Sequence, residues 1–404
     1  MTVLAMTSWS FAGPLVQVAT LPHVRMLQQA AGPNTHVVLV TQEKATYPMT
    51  ASERSDTHKA LRDANITWLP LEYKAFGAGA ALRWAKDFAV LARACRKHKV
   101  EVIHAFGTPI GFIGEPLSKL LRVPFVLDSY EPHAEVMVEN GTWSRNGRAF
   151  KWLFASEKRQ AHHATAALAT TAAMEDYAKR TFGKAPNLLV PRPAPVDLVR
   201  FNPNTSPHPE LAAWKAEQTL AVYAGKLGGI YWKEEVFALM ATSIQHWPGG
   251  LKWAVLTDLP EHEVHALASE AGVPQEHLWI RHATTEEMPS LLATADFALN
   301  PKVPVPSQRY STSIKDAEYW ASGLPVMIPP GISDDSELIA THRAGVVIEG
   351  VDFRGACRAM AQLLAEDGSG AQTRARQLAE DHRSLAASQL AYNKVYGPEG
   401  PLKT

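Results

Sequence analysis

The strongest constraint on this chain is an alternation. Short apolar, β-branched runs at 3–6, 36–41, 66–71, 100–105, 125–128, 166–170 and 188–190 are separated by helix-like stretches at 22–31, 82–98, 112–121, 148–162 and 172–182. Strands spaced by helices form βαβ crossovers, and therefore a parallel sheet with both faces covered. The pattern stops at Val190-Pro-Arg-Pro-Ala-Pro-Val-Asp-Leu-Val-Arg-Phe-Asn-Pro203 and restarts with runs at 220–224, 253–257, 278–281, 297–300, 326–328 and 346–348. Proline-dense chain is stiff and joins neither helix nor sheet, so it reads as a linker. The expectation is an α/β protein of two doubly wound domains divided near residue 196. Ligands then belong at the carboxyl ends of the strands, with the cleft between domains as the natural site. After Ala371 the chain reads as helical to Tyr396 and stops at Gly397-Pro398.

At 404 residues the chain is too long for one ordinary core, which agrees with two domains. Lys+Arg and Asp+Glu are both 40, and that balance argues against nucleic acid as a partner. Cys95 and Cys357 are far apart with no Cys-x-x-Cys, which suits a reducing, cytoplasmic setting. The start, Met1-Thr-Val-Leu-Ala-Met, has no basic region of the signal-peptide kind, and no segment approaches the ~20 apolar residues that span a bilayer. The segment Ala80–Lys99 sets Leu82, Trp84, Phe88 and Leu91 among Arg83, Lys86, Arg93, Arg96, Lys97 and Lys99. It reads as a surface helix with its apolar side on the sheet, or as a basic interfacial helix giving peripheral membrane contact.

Two elements of the second half suggest a phosphate site. Ser311-Thr312-Ser313-Ile314-Lys315 opens a helix that runs to about Ser322 and is stopped by Gly323 and Pro325. Free N–H groups at such a start suit a phosphate, Lys315 adds a cation, and Glu318 lies one turn on, placed to accept from a ribose diol. The plain alternative is a capped helix. Ala221-Val-Tyr-Ala-Gly225-Lys226-Leu-Gly-Gly229 is a buried-strand pattern running into glycines and a lysine. It lacks the P-loop spacing, and by itself it also fits an ordinary strand-to-helix turn. In the first half, Asp128-Ser-Tyr-Glu131-Pro-His133 follows a strand end. His133 there either orients a substrate or caps a backbone carbonyl. Gly107, Gly111 and Gly114 have the wrong spacing for a dinucleotide fingerprint and read as close helix packing. His262 and His265, and the adjoining His162 and His163, lack metal-ligand spacing. Asp334-Asp335-Ser-Glu337 reads as an N-cap and first turn, and no Asp-x-Asp occurs. No metal or other cofactor is expected.

Taken together, these residues resemble the retaining GT-B glycosyltransferases of the family-4-like group. Pro195-Val196-Asp197 through Phe201-Asn-Pro203 is similar to the family's interdomain segment, Tyr223-Ala-Gly225-Lys226 to its phosphate loop, and Lys315-x-x-Glu318 through Gly323-x-Pro325-Val326 to its nucleotide motif. The resemblance implies two Rossmann-like domains facing across a cleft. Residues 1–195 would form the acceptor-side domain and 196–377 the nucleotide-sugar domain, with a helix at about 378–396 packed back on the first. It implies a metal-independent hexosyltransferase of glycan or glycoconjugate biosynthesis. Sugar would pass from a nucleotide-diphosphate donor to a hydroxyl on a glycan, lipid-linked or protein acceptor. Lys226, Lys315 and His133 would be catalytic. Gly225, Ser311, Thr312, Ser313, Ile314 and Glu318 would bind the nucleotide, and Gly13, Glu131 and Tyr310 the substrates. The chain departs from the family at Tyr310, where an acid is common eight positions before Glu318. It also departs at Pro193-Ala-Pro195 and in having the single Gly13. A nucleotide-sugar epimerase or hydrolase on this fold, or a catalytically inactive binding protein, are the alternative readings.

Overall fold

The computed structural model describes residues 1–73 and 80–402, without the side chains of 80–83. The chain divides into two compact units, residues 1–192 with 388–404, and residues 193–387.

The first unit is built on seven strands: β1 (Thr2–Thr7), β2 (His36–Glu43), β3 (Ile66–Glu72), β4 (Val102–Phe106), β5 (Phe125–Tyr130), β6 (Ala166–Ala169) and β7 (Leu189–Pro191). They pair in the order β3-β2-β1-β4-β5-β6-β7, every neighbour parallel. The order reverses between β1 and β4. A crevice opens at the carboxyl ends of strands that leave in opposite directions, and this is where doubly wound sheets take their ligands. Gly13 follows β1, Thr108 follows β4, and Glu131 and His133 follow β5.

The second unit repeats the plan with six strands: β8 (Thr219–Ala224), β9 (Leu251–Leu256), β10 (Leu278–Arg281), β11 (Phe297–Leu299), β12 (Val326–Ile328) and β13 (Gly345–Val347). They too are parallel, in the order β10-β9-β8-β11-β12-β13, with the reversal between β8 and β11. Side chains alternate across the sheet. Leu220, Val222 and Ala224 pack on the face covered by Ala317, Trp320 and Ala321, while Ala221 and Tyr223 face Val236, Phe237 and Met240. Both faces are buried, as a parallel sheet requires.

Every β run expected from the sequence is a strand. The helix Ala51–Asp63 escaped the periodicity reading because only Leu61 on it is buried. Its start is a Thr50/Glu53 capping box. The C-terminal helix also differs from expectation. One helix runs Phe353–His382 with a kink at Asp367, and a separate one runs Leu385–Tyr396, broken at Arg383 and Ser384. At the break Ser384 bridges to Val196, whose N–H donates to the Arg383 carbonyl at 2.7 Å. In the basic helix Ala80–His98, the side chains of Leu82 and Arg83 lie outside the described residues. Leu91 and Cys95 are buried and Trp84 packs on Phe112 at 5.2 Å, so the apolar side is used within the unit. No helix among the described residues is long and apolar enough to cross a membrane.

The last helix is held to the first unit by a buried polar network. Ala391, Tyr392, Val395 and Tyr396 join the core beside Val3, Ala5 and Val126. Tyr392 donates its hydroxyl proton to Asp128, and Tyr396 bonds His104 at 2.7 Å. Asp128, fully buried, also receives Arg192 at 2.6 Å and faces His104 at 3.2 Å. Burial alone would raise the Asp128 carboxyl. Arg192, His104 and His23 outweigh it and hold the carboxyl well below the usual range. His23, which meets Arg192 at 3.0 Å, is driven down to about 3, chiefly by burial and then by that guanidinium, and stays neutral. The strand-end cluster opened by Asp128 is therefore partly structural. Asp128→Ala strands Arg192 in the core and should cost about 3–5 kcal/mol, read by urea unfolding. Amide exchange in 388–396 should rise with it.

Candidate functional site

The end of β8 explains the first half of the site. Tyr223 is fully buried and its hydroxyl donates to the Lys226 carbonyl, which folds Gly225-Lys226 back over the strand end. The Ala224 N–H donates to the Tyr319 hydroxyl at 2.9 Å, joining that turn to the helix Ile314–Ala321. Gly225 has φ +150°, and a Cβ there would lie 2.2 Å from Cε and 2.7 Å from Nζ of Lys315. Glycine is needed both for the backbone conformation and for the space the lysine fills.

Lys315 stands at the second position of that helix, its ammonium 3.6 Å from the centroid of the Tyr231 ring. Burial lowers it to about 8. Lys226 pushes the same way, while Asp316 and Glu318 oppose the shift. Lys226 itself is exposed on the turn. The two cations thus lie close enough to repel, beside a helix start whose N-cap, Ser313, makes no side-chain cap bond. Ser313 Oγ is buried with no partner among the described residues. Such a place is electrostatically prepared for an anion. One turn on, burial pushes the half-buried Glu318 carboxyl up to about 7, although Arg200 and Lys315 pull it down.

The structure therefore gathers Gly225, Lys226, Ser313, Ile314, Lys315 and Glu318 at the switch point of the second sheet. Ile314, the first residue of the helix, is 39% exposed. Thr312 plays a different part from the one expected of its side chain, because its hydroxyl accepts from the Ala194 N–H of the linker at 3.0 Å. The Ser311 carbonyl accepts from Lys302 Nζ at 3.0 Å, and Tyr310 closes the short turn Pro306–Tyr310 with its side chain buried.

Three groups escaped the sequence reading. Lys302, 2% exposed after β11, supports the 311 turn from beneath. Tyr231, next to Gly228 and Gly229, forms the floor under Lys315. Asp316, adjacent to Lys315, turns inward to Asn300 at 2.6 Å and to Asp335, which pairs with Arg383. Asp316 and Asp335 are fully buried. Burial pushes Asp316 well above the carboxylate range and the Asp335 carboxyl adds to that, so Asp316 keeps its proton. Asp335 is thus an internal ion-pair partner, and Asp334, at the N-cap position, makes no cap bond. The available signal was an acid on the same helix face as Tyr319 and Trp320.

In the first unit Gly13 is buried, donating its N–H to the Ser10 carbonyl and accepting from Val16 at the head of the next helical stretch. His133 begins the helix His133–Glu139, and its Nδ1 is 3.9 Å from Glu131 Oε1. Both side chains are about a quarter exposed, at 28% and 27%. Behind them Glu157, unmarked in the sequence, is buried. Gly111 packs against Gln160, and Gly114 against Phe125 and Ile103, so these glycines serve close packing. His162 and His163 turn to different partners, the Phe182 carbonyl and Ser118. No group of three or more His, Cys, Asp or Glu among the described residues could hold a metal ion.

Residues 19–193 match the model of the glycosyl transferase 4-like domain. The chain has the GT-B fold. That fold is shared along nearly the whole length of the chain by solved structures of low sequence identity. Sucrose-phosphate synthase from Thermosynechococcus elongatus is 16% identical with a TM-score of 0.70, over 98% of both chains. Anabaena HepE in complex with UDP-glucose is 13% identical with a TM-score of 0.69, over 98% of this chain and 99% of that one. WaaG, a glycosyltransferase involved in lipopolysaccharide biosynthesis, is 15% identical with a TM-score of 0.69, over 98% and 100%. No curated protein matches the sequence.

The Gly225–Lys315 approach is directly testable. Gly225→Ala should cost about 1–2 kcal/mol in urea unfolding, because an L-residue is strained at that φ and the methyl displaces the lysine. Freed from the Tyr231 face, Lys315 should label faster with an amine-reactive reagent, read by mass spectrometry.

Proposed function

We propose that this protein is a glycosyltransferase that takes a hexose from a nucleoside-diphosphate donor and passes it, with retained anomeric configuration, to a hydroxyl acceptor in the assembly of a glycan or glycoconjugate. One observation carries the reading. Two lysines, a glycine turn and an uncapped helix start meet at the switch point of the second sheet, with a carboxylate one turn away. A diphosphate bonded to a ribose matches that arrangement group for group. Breaking the bond from sugar to diphosphate puts negative charge on the leaving group and positive charge on the sugar. Fixed donors aimed at the leaving group are usually the largest catalytic contribution. Lys226, Lys315 and the amides of Ser311–Ile314 fill that role, and Glu318 accepts from the ribose diol. With two cations so placed, the leaving diphosphate is neutralised without a divalent metal. His133, Glu131 and Gly13, at the carboxyl edge of the first sheet, serve the sugar and the acceptor, and Tyr310 lies at the sugar end of the donor. The UDP-glucose held by HepE makes UDP and UDP-glucose the first probes.

Lys226→Ala should slow turnover about 10²-fold, equivalent to about 3 kcal/mol of barrier. Glu318→Ala should weaken nucleoside-diphosphate binding with a smaller effect on the bond-breaking step. Turnover and nucleotide affinity both unchanged in these two variants would defeat the assignment.

The shifted groups also predict how binding depends on pH. Glu318 accepts the diol as a carboxylate, so below about 7 it must first lose a proton, and affinity falls as pH falls. Lys315 binds phosphate as an ammonium, so above about 8 it must first gain one, and affinity falls as pH rises. UDP titrations between pH 5.5 and 9.5 should give a maximum near 7–8, with about a tenfold loss per unit on the alkaline side. Glu318→Gln should flatten the acid limb and keep the alkaline one.

A further inference from the structure

Glu157 lies on the helix Arg148–His163 and is 1% exposed, among the buried Phe150, Leu153 and Ala161 of that helix. A carboxyl in such surroundings is tolerated only when bonded. Its Oε1 accepts from two separate elements. The Thr108 hydroxyl, at the head of the helix after β4, donates at 2.8 Å, and the Ala134 N–H, beside His133, donates at 3.0 Å. Thr108 is gripped a second time, since its carbonyl accepts from Gln160 Nε2 at 3.0 Å, one turn along the same helix. Gly111 leaves the room for Gln160, because a Cβ there would sit 2.1 Å from its Oε1. Glu157 Oε2 is buried with no partner among the described residues. Packing alone does not call for a charged group here, and what this one grips is the segment that carries Glu131 and His133.

We propose that Glu157 is a positioning residue for transfer, fixing the Glu131–His133 turn against the end of β4 through Ala134 and Thr108. The proposal rests on the role given above to His133. The groups facing Glu157 are His133 and Glu131 on the turn and Tyr130 on β5, with uncharged Thr108 from the helix after β4. Burial pushes the carboxyl up to about 7, Glu131 adds to the rise, and Thr108, Ala134 and His133 oppose it. A carboxyl raised in the folded state stabilises fully below its unfolded value of about 4.5. That contribution is lost as pH rises through about 7.

The experiment compares full-length wild type, Glu157→Ala and Glu157→Gln. It reads amide exchange of the 131–140 peptide, UDP affinity, and kcat and KM for UDP-glucose turnover. Glu157→Ala should raise exchange and lower kcat, each about tenfold, with UDP affinity within twofold. Glu157→Gln keeps the acceptor oxygen and should restore most of both. It should also lose less stability than wild type between pH 5 and 8. Unchanged exchange in Glu157→Ala, or equal damage in both variants, overturns the proposal. If wild type turns over no donor, the transfer reading fails, and the exchange arm still decides whether Glu157 holds the turn. If Glu157→Ala does not fold, Thr108→Val removes one donor and must raise exchange in the same peptide.

Discussion

Each unit closes on a buried aspartate–arginine pair, and each arginine stands where the chain is about to leave that unit. Asp128 holds Arg192, the last residue before the second unit begins. Asp335 holds Arg383, shortly before the chain returns to the first. A charge-assisted hydrogen bond from a guanidinium to a carboxylate is directional, where apolar packing is not. Burying such a pair adds little net stability, yet removing one partner is severe. The pairs therefore define where the chain crosses more than how stable either unit is. Around Asp128 the same need for partners brings in His104, His23 and Tyr392, and this sets the last helix in register on the first sheet.

The second pair also reaches the candidate site. Asp335 faces Asp316 and helps hold its carboxyl well above the usual range, and Asp316 is the neighbour of Lys315. A cation at the second helical residue and an inward acid at the third give this helix start one face suited to an anion and one that is packed. Lys315 keeps its place because the Tyr231 ring offers a cation-attracting face and Gly225 has no side chain to exclude it. The repulsion between the two lysines is present without any ligand, and a bound anion would relieve it. This is the physical content of electrostatic preorganisation.

The first unit reaches a comparable order with polar groups of a different kind. His133 and Glu131 are partly exposed on a short turn, and a short turn has few contacts of its own to fix it. Glu157 supplies them from the helix behind, bonding the turn and the neighbouring strand end with one oxygen. The first sheet thus supports its edge groups by hydrogen bonds from below, whereas the second supports Lys315 by ring and backbone contact.

Much of this was legible in the residues themselves. Parallel strands buried on both faces must be short apolar runs, so all of them could be located, as could the proline linker between the two sheets. Gly225-Lys226 and Lys315-x-x-Glu318 could be singled out because small residues and cations at local spacing are written along the chain, and the structure brings the two segments together. The helix Ala51–Asp63 was also written there, in its capping box, although its weak apolar periodicity hid it. The tertiary structure alone could decide the rest. The partners of Asp128, Asp316 and Glu157 lie tens to hundreds of residues away. Whether a carboxyl is buried, what bonds it and which proton state it holds depend on those distant partners, and no local pattern encodes them.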